Sequence, residues 1–201
     1  MKSDSIIVSN KGLRMESALN EVEKIGNYKN LSPKQILHLR LLTEEMMGLM
    51  RSITGETEGE FWIEDEDGVY EIHLRVDTRL TSGKREQLLS ASTSGKNESA
   101  RGFMGRLRDF FDRGMDEDLS AFTSPLLVDS MYDGTLSSSM DYEWSMMKYV
   151  EAVKSGVEQK DETAFEAWDE LEKSVVRHVA DDVRVSIRGR EVEMIIIKKL
   201  A

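Results

Sequence analysis

The strongest pattern in the chain is a stripe of apolar residues that recurs at steps of three and four. Ser32 precedes the stripe, and its hydroxyl can accept a hydrogen bond from the Gln35 amide, while Pro33 occupies the first helical position. The stripe runs as far as Gly55 and comprises Ile36, Leu39, Leu42, Met46, Leu49, Met50 and Ile53. This spacing places its members on one side of a helix, so the segment is predicted to be an amphipathic helix that faces a core.

Alternation of apolar and polar residues predicts two β-hairpins. In the first, residues 61–63 favour a strand, residues 65–68 supply a turn, and residues 70–76 alternate. In the second, residues 183–188 alternate and residues 192–197 return after a short turn. The nearly unbroken apolar run in the last strand predicts a central strand that is covered on both faces.

Weaker patterns complete the predicted secondary structure. A strand is predicted over residues 5–9, followed by a helix over residues 13–25 that Gly26 ends. Further helices are predicted over residues 84–91, 97–112, 142–154 and 162–179. Because strands lie early and late in the chain with helices between them, the predicted fold class is α+β, with helices packed on one face of a mixed, mainly antiparallel sheet.

Composition limits the classes of function. The chain has 201 residues, 39% of them apolar, which is enough for one domain with a substantial core. It contains no cysteine, so disulfides, thiolate metal sites and thiol nucleophiles are excluded. Its 38 acidic and 27 basic residues give a formal net charge of -11, which disfavours nucleic acids and membranes as partners. The early apolar patch at residues 6–8 is too short for a signal peptide, so a cytoplasmic protein is predicted.

The order of these features resembles the ATP-binding domain of the histidine-kinase-like ATPase superfamily, and most closely its anti-sigma factor serine kinase branch. That order is a helix with an internal glutamate, a hairpin, an aspartate at a strand end, a glycine-containing loop, a helix and a terminal hairpin. The resemblance covers residues 5–111 and 182–200. It therefore implies a single domain over residues 1–201, with residues 112–181 as a mostly helical insertion before the last hairpin.

The first family motif is a helix glutamate that orients a water or phosphoacceptor, followed four residues later by an asparagine that binds Mg²⁺. Glu44 matches the glutamate, and the resemblance gives it the catalytic role. The asparagine position falls on Gly48, and a register that starts at Glu45 places Leu49 there instead. Neither alignment supplies a ligand for Mg²⁺, so the resemblance implies a kinase or ATPase activity that is weak or lost. A solvated helix face explains the glutamate pair equally well.

The second family motif is an aspartate at a strand end that accepts a hydrogen bond from the adenine amino group. Asp77 matches this aspartate, and the resemblance gives it adenine recognition. The two family glycines that make room for the base are replaced by Arg79 and Thr81, which would crowd the pocket. A strand terminator in a polar loop is the alternative interpretation of Asp77.

The third family element is a glycine-containing loop before a helix whose free amides hold phosphate. The residues that the resemblance assigns to nucleotide binding here are Thr93, Gly95, Lys96, Gly102 and Gly105. The loop is not a P-loop, because Ser90 stands where the first glycine is required. An ordinary loop followed by a helix has the same pattern.

Together these motifs imply ATP or ADP as the ligand, with no ligand for Mg²⁺. The resemblance implies a regulatory protein with a protein partner that the sequence does not identify; the usual partner in the family is a sigma factor or a phosphorylatable antagonist. The alternative is a non-catalytic interaction module that keeps the fold without binding nucleotide. A third hypothesis is an active kinase with a metal ligand elsewhere. The histidines, at positions 38, 73 and 178, lack ligand spacing, so no metal site is predicted.

Overall fold

A computed structural model describes most of the chain. The described residues are 1–9, 12–54, 58–77, 142–188 and 191–200. The predicted helices over residues 84–91 and 97–112, and residues 112–141 of the predicted insertion, lie outside the described residues. All helices and strands named in the following paragraphs lie within the described residues.

The described strands form one six-stranded sheet in the order β1-β2-β3-β6-β5-β4. The strands are β1 (Ile6–Ser9), β2 (Glu58–Glu66), β3 (Val69–Asp77), β4 (Tyr142–Ser145), β5 (Asp182–Arg188) and β6 (Glu191–Lys199). Each pair of neighbours in that order runs antiparallel. The predicted α+β class is confirmed, while the sheet is antiparallel across these pairs rather than mixed.

The described helices cover one face of the sheet. They are α1 (Gly12–Tyr28), α2 (Pro33–Thr54), α3 (Met146–Glu158), α4 (Glu162–Lys173) and α5 (Val175–Val179). Alternate strand residues such as Phe61, Ile72 and Met194 join buried helix residues such as Leu42 in a continuous core. The opposite face of the sheet, called the outer face below, carries the residues between them, because side chains alternate along a strand.

The first predicted hairpin is confirmed, and its turn explains the register. Asp67 and Gly68 have φ values of 49° and 81°, as a two-residue type I′ turn requires. Glu66 and Val69 then pair across the turn. A Cβ at Gly68 would lie 2.9 Å from the Leu200 carbonyl oxygen, so glycine also allows the chain end to approach. The tight turn and the close approach of Leu200 together explain why residue 68 is a glycine.

The second predicted hairpin is also confirmed, and β6 lies in the middle of the sheet between β3 and β5. Met194 and Ile196 are buried in the core beneath the helices. On the outer face, Ile197 is buried and Ile195 is half-buried. The apolar run of the last strand thus contributes to both faces, as a central strand should.

The predicted helix α2 is confirmed together with its start signal. Gln35 donates its amide to the Ser32 hydroxyl at 3.3 Å, and its side-chain oxygen accepts the Ser32 amide at 2.8 Å. This reciprocal pair is a capping box. The apolar stripe then packs into the core, where Leu39, Leu42 and Met46 are fully buried.

The prediction that Gly26 ends α1 is wrong, because α1 continues to Tyr28. Gly26 is buried, and a Cβ at this position would lie 2.6 Å from Cγ1 of Ile36 in α2. The missing side chain therefore lets the two helices approach closely. An ion pair between Arg40 and Glu23 also joins α2 to α1.

The predicted helix over residues 142–154 is wrong at its beginning, where β4 forms instead. Trp144 pairs with Val185 of β5, so the edge of the sheet holds these residues extended. Helix α3 begins at Met146, and the Ser145 hydroxyl accepts the Lys148 amide at 3.4 Å as its N-cap. Pairing with β5 has overridden the local helical pattern.

The buried carboxylate of Asp182, the first residue of β5, connects the start of α3 to the sheet. It accepts hydrogen bonds from the Ser145 hydroxyl at 3.1 Å and from the Met147 amide at 3.0 Å. It also accepts from its neighbouring Val183 amide at 2.9 Å. One side chain therefore satisfies donors at the helix start and at the strand start.

The predicted helix over residues 162–179 is divided in two at Ser174. The Ser174 hydroxyl accepts the Arg177 amide at 3.3 Å and so caps α5 as a separate helix. In the described part of residues 112–181, three helices follow β4. The interpretation of residues 112–181 as an insertion stays a prediction.

Candidate functional site

The predicted catalytic residue, Glu44, lies on the exposed side of α2. Its neighbour Thr43 is buried and donates its hydroxyl to the Leu39 carbonyl at 2.9 Å. Thr43 therefore lies on the core side of α2 and Glu44 does not. Gly48, one turn further along, is also exposed, and a Cβ there would meet no atom of the described residues within 4 Å. In the family that the sequence resembles, this is the position of the Mg²⁺ ligand.

The predicted adenine-binding residue, Asp77, is the exposed last residue of β3 and pairs in register with Glu191. Its predecessor Val76 is buried in the core, so Asp77 belongs to the outer face. Helix α2 packs against the other face of β3. The structure therefore does not bring Asp77 and Glu44 together. The predicted phosphate-binding residues Thr93, Gly95, Lys96, Gly102 and Gly105 lie outside the described residues.

Sequence reasoning missed a cluster of polar and aromatic side chains on the outer face. This outer-face cluster consists of Trp62, Glu64, Glu71, His73, Arg75 and Glu193, contributed by β2, β3 and β6. Trp62 and His73 are paired across β2 and β3, and their rings stack with centroids 4.6 Å apart at an angle of 11°. Both are buried, with exposed fractions of 4% and 6%.

Two cations lie against the Trp62 ring. The Arg75 guanidinium carbon is 5.0 Å and the Lys2 Nζ 4.9 Å from the ring centroid, within the range of cation–π contacts. Lys2 also donates to Glu64 Oε1 at 2.8 Å, and the Trp62 indole donates to the same oxygen at 2.8 Å. These two hydrogen bonds, from Lys2 first and then Trp62, lower the pKa of Glu64 from its ordinary value.

The His73 ring contacts a second carboxylate on the other side. Its Nδ1 is hydrogen-bonded to Glu193 Oε1 at 3.2 Å, and Arg75 Nη2 lies 3.7 Å from the same oxygen. The His73 hydrogen bond, followed by the charge of Arg75, lowers the pKa of Glu193 although its burial acts in the opposite direction. Glu193 is therefore held as a carboxylate at neutral pH.

The second nitrogen of His73, Nε2, is buried and makes no hydrogen bond within the described part of the chain. The carboxylate oxygens of Glu71 and Glu64 lie 3.6 and 3.9 Å from it. No group of three or more acidic or histidine side chains in the described ranges is arranged to hold a metal ion. The cluster is best described as a packed, charged surface of the sheet.

An open groove of about 430 Å³ lies between α1 and β1. Its lining residues are Ile6, Ser17, Asn20, Glu21, Glu23, Lys24 and Asn27. All but Ile6 come from α1, and Lys24 pairs with Glu21 at 3.3 Å within the helix. The groove is polar and runs beside the edge of the sheet.

Comparison with protein-family models, curated proteins and solved structures found no match. Within the described residues, none of the helices combines the length and apolar character that crossing a membrane requires.

Proposed function

We propose that this protein is a cytoplasmic regulatory protein that binds ATP or ADP, with a kinase or ATPase activity that is weak or lost. The order of α2, the β2–β3 hairpin, Asp77 and the terminal hairpin supports a relationship to the histidine-kinase-like ATPases. In the described sheet, the terminal strand β6 lies directly beside β3, the strand that ends at Asp77.

The observation that carries the loss of activity is the environment of Gly48. Gly48 has no side chain and is exposed, and an added Cβ would contact no atom of the described part of the chain within 4 Å. Mg²⁺ requires oxygen ligands, so the residue four positions after Glu44 cannot hold it. Asp77 lies on the outer face of the sheet, whereas α2 packs on the core face. The residue proposed to bind the base is therefore also distant from Glu44.

Calorimetric titration with ATP and ADP, each with and without Mg²⁺, tests the proposal. We expect micromolar binding that Mg²⁺ does not change. Asp77→Asn should weaken it about tenfold, because a hydrogen bond to a carboxylate contributes about 1.5 kcal/mol or more. The control is Asp169→Asn, on the exposed surface of α4, which should bind like the wild type. Binding that Asp77→Asn leaves unchanged would refute the site assignment.

Gly48→Asn is a gain-of-function test of the same proposal. The open space at Gly48 accommodates the new side chain, whose amide oxygen would restore the missing ligand. We expect Mg²⁺ to increase nucleotide affinity in this variant and not in the wild type, with Gly48→Ala as the control. Enhancement by Mg²⁺ in the wild type would instead support an active kinase.

The second candidate function is a non-catalytic interaction module that retains the fold without binding nucleotide. The outer-face cluster favours it, because three strands present carboxylates around a fixed Trp62–His73 stack. A failure to detect binding up to millimolar nucleotide would select this candidate over the first.

A further inference from the structure

Two glutamates of the outer-face cluster face each other across neighbouring strands. Glu64 of β2 and Glu71 of β3 are paired directly in the register, with 39% and 37% of their side chains exposed. Like charges that lie directly opposite each other destabilise a sheet. Lys2 pairs with Glu64, whereas no lysine or arginine of the described residues lies within ion-pair distance of Glu71. The described part of the chain therefore keeps two close carboxylates with a single lysine between them.

The buried ring of His73 provides a second, independent observation at the same place. Its Nδ1 faces the Glu193 carboxylate at 3.2 Å, so the proton of the neutral ring lies on Nδ1 and Nε2 is an acceptor. Nε2 lies 3.6 Å from Glu71 and 3.9 Å from Glu64, and no donor among the described residues satisfies it. A buried acceptor without a donor is costly. The arrangement therefore indicates a site for an additional N–H donor beside His73.

The balance of charge around the cluster favours a cationic donor. Five carboxylates lie around two cations on this part of the described outer face. The carboxylates are those of Glu60, Glu64, Glu71, Glu191 and Glu193, and the cations are Lys2 and Arg75. Arg75 already lies within 4.0 Å of three of these carboxylates, so it has no capacity left for Glu71. A further positive group would reduce the excess of negative charge.

We infer that the outer-face cluster binds an arginine side chain from a basic segment of a partner protein. A guanidinium carries five N–H donors in one plane, so it can donate to Glu64, Glu71 and Nε2 of His73 together. Glu71 has an exposed side chain, which can rotate to admit the guanidinium beside the ring. The stack with Trp62 fixes the orientation of the imidazole, so this acceptor is positioned before the partner binds.

The inference deepens the second candidate function, the interaction module, and it does not depend on nucleotide binding. Charge complementarity selects the chemistry of the partner, because an acidic surface attracts a basic segment and repels an acidic one. The net charge of -11 adds long-range attraction for such a partner. A lysine side chain fits less well, since its ammonium is a compact charge with three donors instead of a planar fork.

Calorimetric titration with a short, blocked peptide that contains two arginines tests the inference at about 0.15 M salt, where long-range attraction is screened. The same peptide with citrulline in place of arginine is the uncharged control and should bind much more weakly. We expect Glu71→Gln to weaken binding of the arginine peptide about tenfold, because a hydrogen bond to a charged group is lost. Glu170→Gln removes the same charge from the exposed surface of α4 and should bind like the wild type. Equal affinities of the two variants, or no binding of the arginine peptide to the wild type, would overturn the inference.

Nitrogen NMR of the His73 ring tests the position of the bound arginine. We expect the arginine peptide to shift the Nε2 resonance, because this nitrogen then accepts a hydrogen bond, and the citrulline peptide to leave it unchanged. An Nε2 that already carries a proton without peptide, or that does not respond to the arginine peptide, would refute the inference. Glu71→Gln should titrate with ATP and ADP as the wild type does, so failure of this inference and failure of the nucleotide proposal are separate results.

Discussion

Trp62 and His73 are buried as deeply as core residues although they lie on the outer face of the sheet. Their rings cover each other, and Arg75 and Lys2 cover the indole further. Two polar atoms of the stack have carboxylate partners, since Glu64 accepts the indole N–H and Glu193 pairs with Nδ1 of the imidazole. The imidazole Nε2 makes no hydrogen bond within the described residues. Partners of this kind offset the cost of burying polar groups.

The lowered pKa of Glu193 predicts a specific dependence of stability on pH. Its pKa in the folded protein lies below the ordinary 4.5, so the carboxylate stabilises the fold above pH 4.5. That contribution is lost as the pH falls through the lower pKa of the folded state. We expect Glu193→Gln to reduce the free energy of unfolding by about 1 kcal/mol at pH 7 and by less below pH 4, measured by urea denaturation.

Glu66→Gln is the control for this experiment, because Glu66 is exposed at the end of β2. It should leave the free energy of unfolding within about 0.5 kcal/mol of the wild type at both pH values. An unchanged stability of Glu193→Gln at pH 7 would contradict the role given to the His73–Glu193 contact.

This cluster could not be recognised from the sequence. Trp62, His73 and Glu193 are separated along the chain, and only the strand register brings them together. Alternation identified which strand residues face away from the core, but it gives no information on which strand lies beside which. The order β3-β6, which places Glu193 next to His73, is a tertiary property.

At the scale of elements, two helix glycines give opposite predictions, because Gly26 lies at the contact between α1 and α2 and Gly48 lies on the exposed side of α2. Gly26→Ala should lower the free energy of unfolding by about 1–3 kcal/mol, because its Cβ would lie 2.6 Å from Ile36. Gly48→Ala should raise it by about 0.5–1 kcal/mol, because alanine has the higher helix propensity and its Cβ would touch nothing among the described residues at this exposed position.

Denaturation with urea measures both variants, and each serves as the control for the other. If Gly26→Ala proved as stable as Gly48→Ala, the helices would not be in the close contact described here.

Elements with strong local signals were predicted well from the sequence. The hairpins followed from alternation and from the turn at Gly68, and α2 followed from its capping box and stripe. The sequence predicts a helix for residues 142–145 because four residues are too few to show a clear strand pattern. Their pairing with β5 decides their conformation instead. Gly26 was interpreted as a helix end although it serves close packing.

The candidate site was predicted less completely than the fold. Glu44 and Asp77 were assigned by position along the chain, which does not specify on which side of the sheet a residue lies. The structure places them on different sides of the sheet. Val76 is buried in the core opposite Val192 of β6, so its neighbour Asp77 lies on the outer face, while α2 packs on the core face. The phosphate-binding assignment lies outside the described residues, so it stays a prediction.

At the scale of the whole molecule, the net charge of -11 predicts how salt affects stability. Like charges within the folded protein repel one another, and salt screens this repulsion as the Debye length falls from about 30 Å at 0.01 M to about 8 Å at 0.15 M. Exposed ion pairs such as Lys173 with Asp169 contribute little in comparison.

We therefore expect the free energy of unfolding to rise over that range of ionic strength, as measured by urea denaturation. A free energy of unfolding that falls with salt would show that local ion pairs outweigh the overall repulsion.

The hydrogen bonds of Asp182 have a consequence for how the protein could have evolved. Its carboxylate links the first residue of β5 to Ser145 and Met147, which lie 37 and 35 positions earlier. One side chain, at the start of the strand that follows α5, thereby also binds the start of α3. The two ends of the segment α3 to α5 are held close together by these hydrogen bonds. An exchange of this segment for another would deprive the buried carboxylate of the Ser145 and Met147 donors and leave it the Val183 amide. The segment and the strand that follows it are therefore expected to change together rather than as independent modules.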